Sequence, residues 1–288
     1  MKSLIRKIAA AVLCLFMISL LCGCAENTDA DVTSSYPVEI TAFSVGKADA
    51  VLVRVDDSYM LIDSGESDDA EKIISELKER GITHLDCFQV THFDKDHVGS
   101  ASAIVETFDI DSIFYADYEG TRSEYFEFME AISGNAGAKA ISEITRITLG
   151  SASLTIYPAS DPDEFVSDDD TEYDNELSLV TVMEYGEKVF LFGGDAEKSR
   201  LKQMLTQDVS WDCDWIKLPH HGKYCKALKS FLEAASPQYS VMTVSSDEPA
   251  DDETLELLSQ LGIESYDTLD SDIVTVSDGK TISVYAGE

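Results

Sequence analysis

Thr91-His92-Phe93-Asp94-Lys95-Asp96-His97-Val98-Gly99-Ser100 is the stretch on which the reading of this chain turns. It follows an apolar run, Cys87-Phe88-Gln89-Val90, that reads as a buried strand, and it ends in small residues before a helical pattern. Two imidazoles and two carboxylates within six positions at a strand's end form a donor set suited to borderline divalent metals. In an extended backbone His92 and Asp94, two apart, point the same way, and Asp96 and His97 then turn inward from the start of the next element. The competing reading is an acidic solvated loop that happens to carry two histidines.

Two more segments decide between these readings. The chain holds five histidines, and four fall in two tight groups, His92/His97 and His220-His221. The second group, Leu218-Pro219-His220-His221-Gly222, again follows a strand-like run, Trp215-Ile216-Lys217-Leu218. Between the groups, Val189-Phe190-Leu191-Phe192 runs into Gly193-Gly194-Asp195. Three strand ends that each present ligand-type side chains make the active-site edge of an α/β protein, where loops carry the chemistry.

Residues 1–24 are read as a leader outside the fold. Lys2, Arg6 and Lys7 form a basic start, and Ile8–Leu21 is an apolar segment too short to span a bilayer comfortably. Leu21-Cys22-Gly23-Cys24 resembles the cleavage box of bacterial lipoproteins, in which the last cysteine is lipidated and becomes residue one. Cys24 would then be the chain's membrane attachment, on the extracellular face of the cytoplasmic membrane. A plain signal peptide or anchor is the alternative. Residues 25–36, small, polar and acidic, read as a flexible tether, and residues 37–288 as one domain.

The formal net charge is −34, and Met1–Gly23 contributes three bases and no acids, so a cleaved chain would be more acidic still. Such a chain will not hold nucleic acid through a diffuse basic face, because phosphate affinity comes from neutralising charge. A phosphate substrate would need bound metal or a local basic spot. Lys217, Lys223, Lys226 and Lys229, flanking the His-His pair, are one candidate, and an ordinary solvated helix face explains them equally well. Past Cys24 only Cys87, Cys213 and Cys225 remain, too few for a disulfide scaffold, with a Cys213–Cys225 pair left open.

Periodicity sketches the rest. Strands are expected at Val38–Val45, Ala50–Val55 and Tyr59–Ile62, then a helix through Ala70, Ile73, Ile74 and Leu77 that Gly81 closes. Leu85–Val90 enters the histidine stretch, followed by helix Ala101–Thr107 and strand Ser112–Tyr115. Phe126, Met129 and Ile132 mark the core side of another helix, and Ala140–Leu149 with Ser153–Tyr157 read as a hairpin. Ser160–Asp174, with Asp168-Asp169-Asp170 inside it, lacks the alternating acids and central glycine of a calcium loop and reads as solvated. Strands Leu177–Glu184 and Lys188–Phe192 come next, with helix Ala196–Leu205. Beyond His221 lie helix Ala227–Ala235, strand Tyr239–Val244, helix Asp252–Leu261 capped by Gly262, and strands Ile273–Val276 and Thr281–Val284. Two strand clusters with helices outside each predict a four-layer αββα sandwich of the α/β class.

The ordered motifs resemble a metallo-β-lactamase-fold hydrolase, and within that superfamily the soluble hydrolase domain of ComEC-type competence proteins. Phe43-Ser44-Val45-Gly46-Lys47-Ala48-Asp49-Ala50 resembles that family's opening strand and turn, and Leu61-Ile62-Asp63-Ser64-Gly65 its second landmark. His92-x-Asp94-x-Asp96-His97-x-Gly99 is similar to its metal motif, with Asp94 where most of the superfamily has a histidine. Asn175-Glu176-Leu177-Ser178-Leu179-Val180 is similar to a segment such domains carry where others supply a third histidine. Gly194-Asp195 resembles the bridging carboxylate and His220-His221-Gly222 the last ligand motif. The chain departs from the pattern at Ser100, at Lys223, and at Asp247–Asp252, which holds Pro249 but no histidine.

The resemblance implies two divalent metal ions, zinc or manganese. His92, Asp94 and Asp195 would hold one, and Asp96, His97, Asp195 and His220 the other. His221 would stand behind the ligands or face the substrate phosphate. Asp96 and His221 are the expected catalytic residues, and Asn175, Ser178 and Lys223 the expected substrate contacts. The substrate implied is a phosphodiester, extracellular DNA or a nucleotide, and no protein partner is deducible. A non-catalytic surface lipoprotein on the same fold is the contrasting class, and a carboxyl- or thioester hydrolase the other enzymatic one.

Overall fold

The computed structural model describes residues 36–160 and 173–287. The expected leader, the lipidation box with Cys24, nearly all of the tether and the Asp168–Asp170 run lie outside the described residues. Alternation builds the first sheet. In β1 (Val38–Ala42), β2 (Val51–Val55) and β3 (Ser58–Ile62), residues Val38, Ile40, Val51, Val53, Met60 and Ile62 face one apolar layer, while Leu52 and Leu61 face another. With β4 (His84–Val90), β5 (Asp109–Ala116), β6 (Ala138–Ile141), β14 (Ile273–Ser277) and β15 (Ile282–Ala286), these form an eight-stranded sheet in the order β15-β14-β1-β2-β3-β4-β5-β6.

The second sheet contains β7 (Thr145–Leu149), β8 (Ala152–Tyr157), β9 (Val180–Tyr185), β10 (Lys188–Phe192), β11 (Trp215–Lys217), β12 (Tyr239–Met242) and β13 (Glu264–Asp267). Its order is β13-β12-β11-β10-β9-β8-β7. Phe190, Phe192, Leu154, Ile156 and Trp215 meet the inner residues of the first sheet in one buried layer.

Helices cover both outer faces. α1 (Ala70–Glu79), α3 (Ala101–Thr107) and α4 (Ser123–Ala131) bring Ile73, Leu77, Ile104 and Phe128 against Leu61, Leu85 and Phe88. The short α2 (Lys95–Val98) and α5 (Tyr173–Glu176) belong to the site-bearing loops. On the other face α6 (Lys198–Thr206), α7 (Leu228–Ala235) and α8 (Asp252–Leu261) bring Leu201, Met204, Phe231 and Leu258 against Leu191 and Ile216. The result is the expected αββα sandwich. Strand β4 runs parallel to β3, and β11 parallel to β10, so the loops that follow them leave from carboxyl ends, where α/β folds place ligands.

Three local expectations change. Ala140–Leu149 is not one strand: β6 pairs parallel with β5 in the first sheet, whereas β7 pairs with β8 in the second. Ser142-Glu143-Ile144 carries the chain between sheets. On α4, Phe126 is 59% exposed and Phe128 is fully buried, because the core stripe runs through Tyr125, Phe128, Met129 and Ile132. Strand β13, Glu-Ser-Tyr-Asp, has no apolar alternation to announce it and sits at a sheet edge.

Candidate metal centre

Strand β4 delivers the first ligand-type group. Directly after it, the Thr91 amide donates to Asp63 Oδ1 at 2.7 Å and the Thr91 hydroxyl to Asp63 Oδ2 at 2.7 Å. Asp63, at the end of β3 with φ 58°, also lies 2.8 Å from His97 Nδ1. That carboxylate places the proton of the neutral His97 ring on Nδ1, which makes Nε2 the nitrogen available to a cation. His92 is handled alike: its Nδ1 lies 3.1 Å from Thr91 Oγ1 and 3.3 Å from Ser178 Oγ.

Strand β10 delivers Asp195. A Cβ at Gly194 (φ +52°) would come within 2.9 Å of Ser178 Cβ, so only glycine lets this turn close. The closure places the Asp195 amide 3.1 Å from Ser178 Oγ, to which it donates.

Strand β11 delivers the third group through a 3-10 turn, Pro219–Gly222, in which His220 (φ 47°) and His221 (φ 53°) are both left-handed. Each such residue stores strain of order 1–3 kcal/mol, the kind of cost that persists at functional sites. The turn sends the two rings to different places. His221 is buried, with Nδ1 2.8 Å from Thr243 Oγ1. His220 faces the cleft wall, its Nδ1 2.6 Å from Glu197 Oε1 and its Nε2 3.9 Å from Asp195 Oδ2.

Asp96, His97, Asp195 and His221 thus converge, their ligand-type atoms all within 4.8 Å of one another. His97 Nε2 is 3.2 Å from Asp195 Oδ1, and His221 Nε2 is 3.3 Å from Asp195 Oδ2 and 3.5 Å from Asp96 Oδ2. His92 Nε2 approaches Asp94 Oδ2 at 3.8 Å beside them. The Nε2 atoms of His92, His97 and His221 and Oδ1 of Asp195 are buried yet make no hydrogen bond. Buried polar atoms are rarely left so, and imidazole lone pairs beside carboxylates suit a divalent cation. The residues present fit a metal.

The electrostatics agree. Burial, with His97 nearby, pushes the His92 pKa down to about 4. Burial would also lower His97 and His221, but Asp195 with Asp63 raises His97 well above the ordinary value, and Asp195 with Asp49 raises His221 to about 10. Burial opposes ionisation of Asp195 and Asp96, but the neighbouring His221 and His97 hold both carboxyls below the usual range. Protons here occupy the place that a cation would take, so metal binding must displace them.

Several sequence expectations are corrected. It is His221, and not His220, that joins the cluster, because the left-handed turn directs the second ring inward. Ser178 is fully buried under His92 and Asp195 and cannot meet substrate. Lys217 is no phosphate contact: it is 1% exposed and its Nζ lies 2.8 Å from Asp49 Oδ2. Lys229 pairs with Glu233 along α7, the solvated-face reading. Cys213 and Cys225 are free thiols. Asn175 and Lys223 do line the cleft over the cluster, although Asn175 is buried and its Nδ2 donates to Glu197 Oε1 at 3.3 Å.

That cleft has a volume of about 740 Å³, and Lys47, Lys95, Arg122, Lys198, Lys223 and Lys226 contribute to its wall. Arg122 Nε donates to Asp94 Oδ1 at 2.9 Å, and Lys47 Nζ lies 3.8 Å from Asp96 Oδ2. Sequence reasoning gave no role to Asp49, Asp63, Arg122, Glu197 or Thr243. Asp49 and Asp63 had a usable signal, since each is a carboxylate inside an otherwise apolar or small-residue segment at a strand boundary. Arg122 and Thr243 had none.

The family model of the metallo-beta-lactamase superfamily matches residues 44–244. The chain belongs to this superfamily. ComE operon protein 3 of Bacillus subtilis (strain 168) is 23% identical over 174 residues, which takes in 59% of this chain and 21% of that protein. The chain therefore spans only about a fifth of this curated relative. Among solved structures, Tm1679, a metal-dependent hydrolase of the beta-lactamase superfamily, superposes with a TM-score of 0.54 at 12% identity, covering 87% of this chain and all of that one. CmlA, a diiron beta-hydroxylase from Streptomyces venezuelae, gives 0.53 at 12% identity, over 84% of this chain and 54% of that one. Likeness at such identities concerns the fold. A metallo-beta-lactamase fold carries hydrolases and hydroxylases alike, so substrate and metal must be argued from this chain's own cleft.

Proposed function

We propose that this chain is a metal-dependent phosphodiesterase of the nuclease kind, exported and held at the outer face of the cytoplasmic membrane through a lipidated Cys24. The observation that carries the reading is the convergence, with Asp96 and Asp195, of three buried Nε2 atoms that make no hydrogen bond, at the floor of a cleft whose wall includes Lys47, Arg122, Lys223 and Lys226. Asp96, His97, Asp195 and His221 would hold one divalent ion, and His92 and Asp94, with Asp195, a second. Such ions, zinc or manganese, lower the pKa of bound water towards neutrality and stabilise charge on the reacting oxygens. An aspartate at position 94 in place of an imidazole makes its side of the centre oxygen-rich, which favours manganese.

The chain's own residues supply the rest. Asp63 and Thr243 fix the tautomers of neutral His97 and His221, so both would turn Nε2 to a bound cation. Arg122 offsets the charge of Asp94, and Lys47, Lys223 and Lys226 bring cations to the cleft of a molecule of net charge −34, beside the carboxylates of Glu66, Glu197 and Glu248. With cations bound at the centre, these side chains would offer an anionic substrate local contacts that the global field does not.

The test is turnover by manganese- and zinc-loaded protein of plasmid, single-stranded DNA, a nitrophenyl phosphodiester and a nitrophenyl carboxylic ester. Diester hydrolysis is expected, with Arg122→Gln raising KM for the diester about tenfold, equivalent to about 1.4 kcal/mol. Metal-loaded protein that leaves every diester intact would exclude the reading. Cys24→Ser should release the protein from membranes.

A further inference from the structure

We propose that Lys217, Asp49 and Thr243 form a buried relay that sets the cation affinity of the centre by orienting His221, none of the three touching the cation itself. The proposal rests on the cluster being a cation site, not on what the enzyme hydrolyses.

Every link is present. His221 Nδ1 lies 2.8 Å from Thr243 Oγ1, and the Thr243 hydroxyl donates to Asp49 Oδ1 at 2.5 Å. A hydroxyl has one proton to give, so with that proton on Asp49 the threonine oxygen can only accept from the imidazole. In the neutral ring the proton is thereby fixed on Nδ1, so Nε2, which faces Asp96 and Asp195, is the nitrogen that can offer its lone pair to a cation. On the other side of Asp49, Lys217 Nζ lies 2.8 Å from Oδ2 and donates to the Leu218 carbonyl at 3.2 Å. Lys217, Asp49, Thr243 and His221 are all buried.

Position gives the relay its reach. Asp49 lies on the loop between β1 and β2 of the first sheet, whereas Lys217 ends β11 and Thr243 follows β12 of the second. The Asp49 amide donates to the Asp96 carbonyl at 2.9 Å, and the Gly65 amide donates to the Asp49 carbonyl at 2.8 Å. One residue therefore holds the backbone of a ligand loop from the first sheet and the ring of a ligand from the second. A buried ammonium is costly and is retained only where it is paired; here its partner is the carboxylate that aims the ligand. Outer partners of this kind change metal affinity by about 10- to 100-fold when removed.

A positioning role separates from a merely structural one in three variants. Lys217→Met leaves Asp49 buried and unpaired, so its melting temperature should fall. The double variant Asp49→Asn/Lys217→Met removes both charges, and its melting temperature should return towards that of the parent. Manganese affinity of the metal-stripped proteins, measured by titration calorimetry, should stay weakened about 10- to 100-fold in the double variant despite that recovery. Affinity that recovers together with stability would overturn the proposal. Should the double variant not fold, Thr243→Val decides, since it keeps both charges and removes the acceptor of the His221 proton: about tenfold weaker manganese binding is expected, and parental affinity overturns the relay. Calorimetry with the metal alone gives these answers whether or not any phosphodiester is cleaved.

Discussion

The Ser178 hydroxyl lies between two ligand-type residues from different sheets: it accepts the Asp195 amide at 3.1 Å and sits 3.3 Å from His92 Nδ1. Ser178, two residues before β9, is fully buried, and a Cβ at Gly194 would come within 2.9 Å of its Cβ.

Ser178→Ala should therefore act on the metal and not on the substrate. The substitution leaves the buried Asp195 amide without its acceptor, a loss of about 1–3 kcal/mol in unfolding free energy. Cation affinity should weaken and KM at saturating metal should stay near that of the parent. Urea unfolding and steady-state kinetics at saturating manganese check both halves. A large rise in KM with unchanged metal affinity would return Ser178 to the substrate-contact role that its sequence position suggests.

His220 and His221 should part company in metal content. His221→Ala removes a member of the converging group and should lose most of the tightly held divalent ion after dialysis. His220→Ala should keep it, because that ring is held by Glu197 at the cleft wall. His220→Gly should in addition raise stability by about 1 kcal/mol, since glycine takes φ 47° without a Cβ penalty. Elemental analysis and thermal melts read these outcomes. Loss of metal in the His220 variant with retention in the His221 variant would reverse the assignment.

Much of this arrangement is legible in the sequence, and the rest is hidden there for physical reasons. The strand-end positions of His92–His97, Asp195 and the His-His pair follow from apolar runs that stop abruptly, a signal strong enough to place three loops on one rim. Which neighbouring histidine turns inward is set by two consecutive left-handed residues, and side-chain identity does not report φ in a Pro-His-His-Gly turn. Lys217 looked like one of several surface lysines because its burial depends on Asp49, a partner more than 160 residues away in sequence. Phe126 and Phe128 are both aromatic and two apart, so only the true start of α4 at Ser123 decides which faces the core. Asp94 lies beside His92, as the two-residue spacing in an extended segment predicts, and outside the four-residue cluster; the guanidinium of Arg122 on its other oxygen is a long-range contact that no local pattern encodes.

The metal-stripped protein should be most stable near pH 6.5 and lose stability on both sides. His221 is raised from 6.5 to about 10 by Asp195 and Asp49, against its burial. Between those values the folded chain binds more protons than the unfolded one, so its contribution is full below pH 6.5 and is lost as pH rises towards about 10. His97, also raised, acts in the same direction. His92 has the opposite sign: burial lowers it to about 4, the unfolded chain binds the extra proton between about 4 and 6.5, and stability is lost as pH falls through that window. Asp195 and Asp96, both depressed, add to the acid-side loss at lower pH, and Asp63, raised by its burial, offsets part of it. Saturating manganese should flatten the alkaline limb, because a cation needs His97 and His221 neutral and replaces their protons. Thermal melts of chelated and manganese-loaded protein from pH 4 to about 10, spanning the windows of these linkage terms, measure it directly, and an alkaline limb identical in both forms would mean that the metal does not sit on His97 and His221.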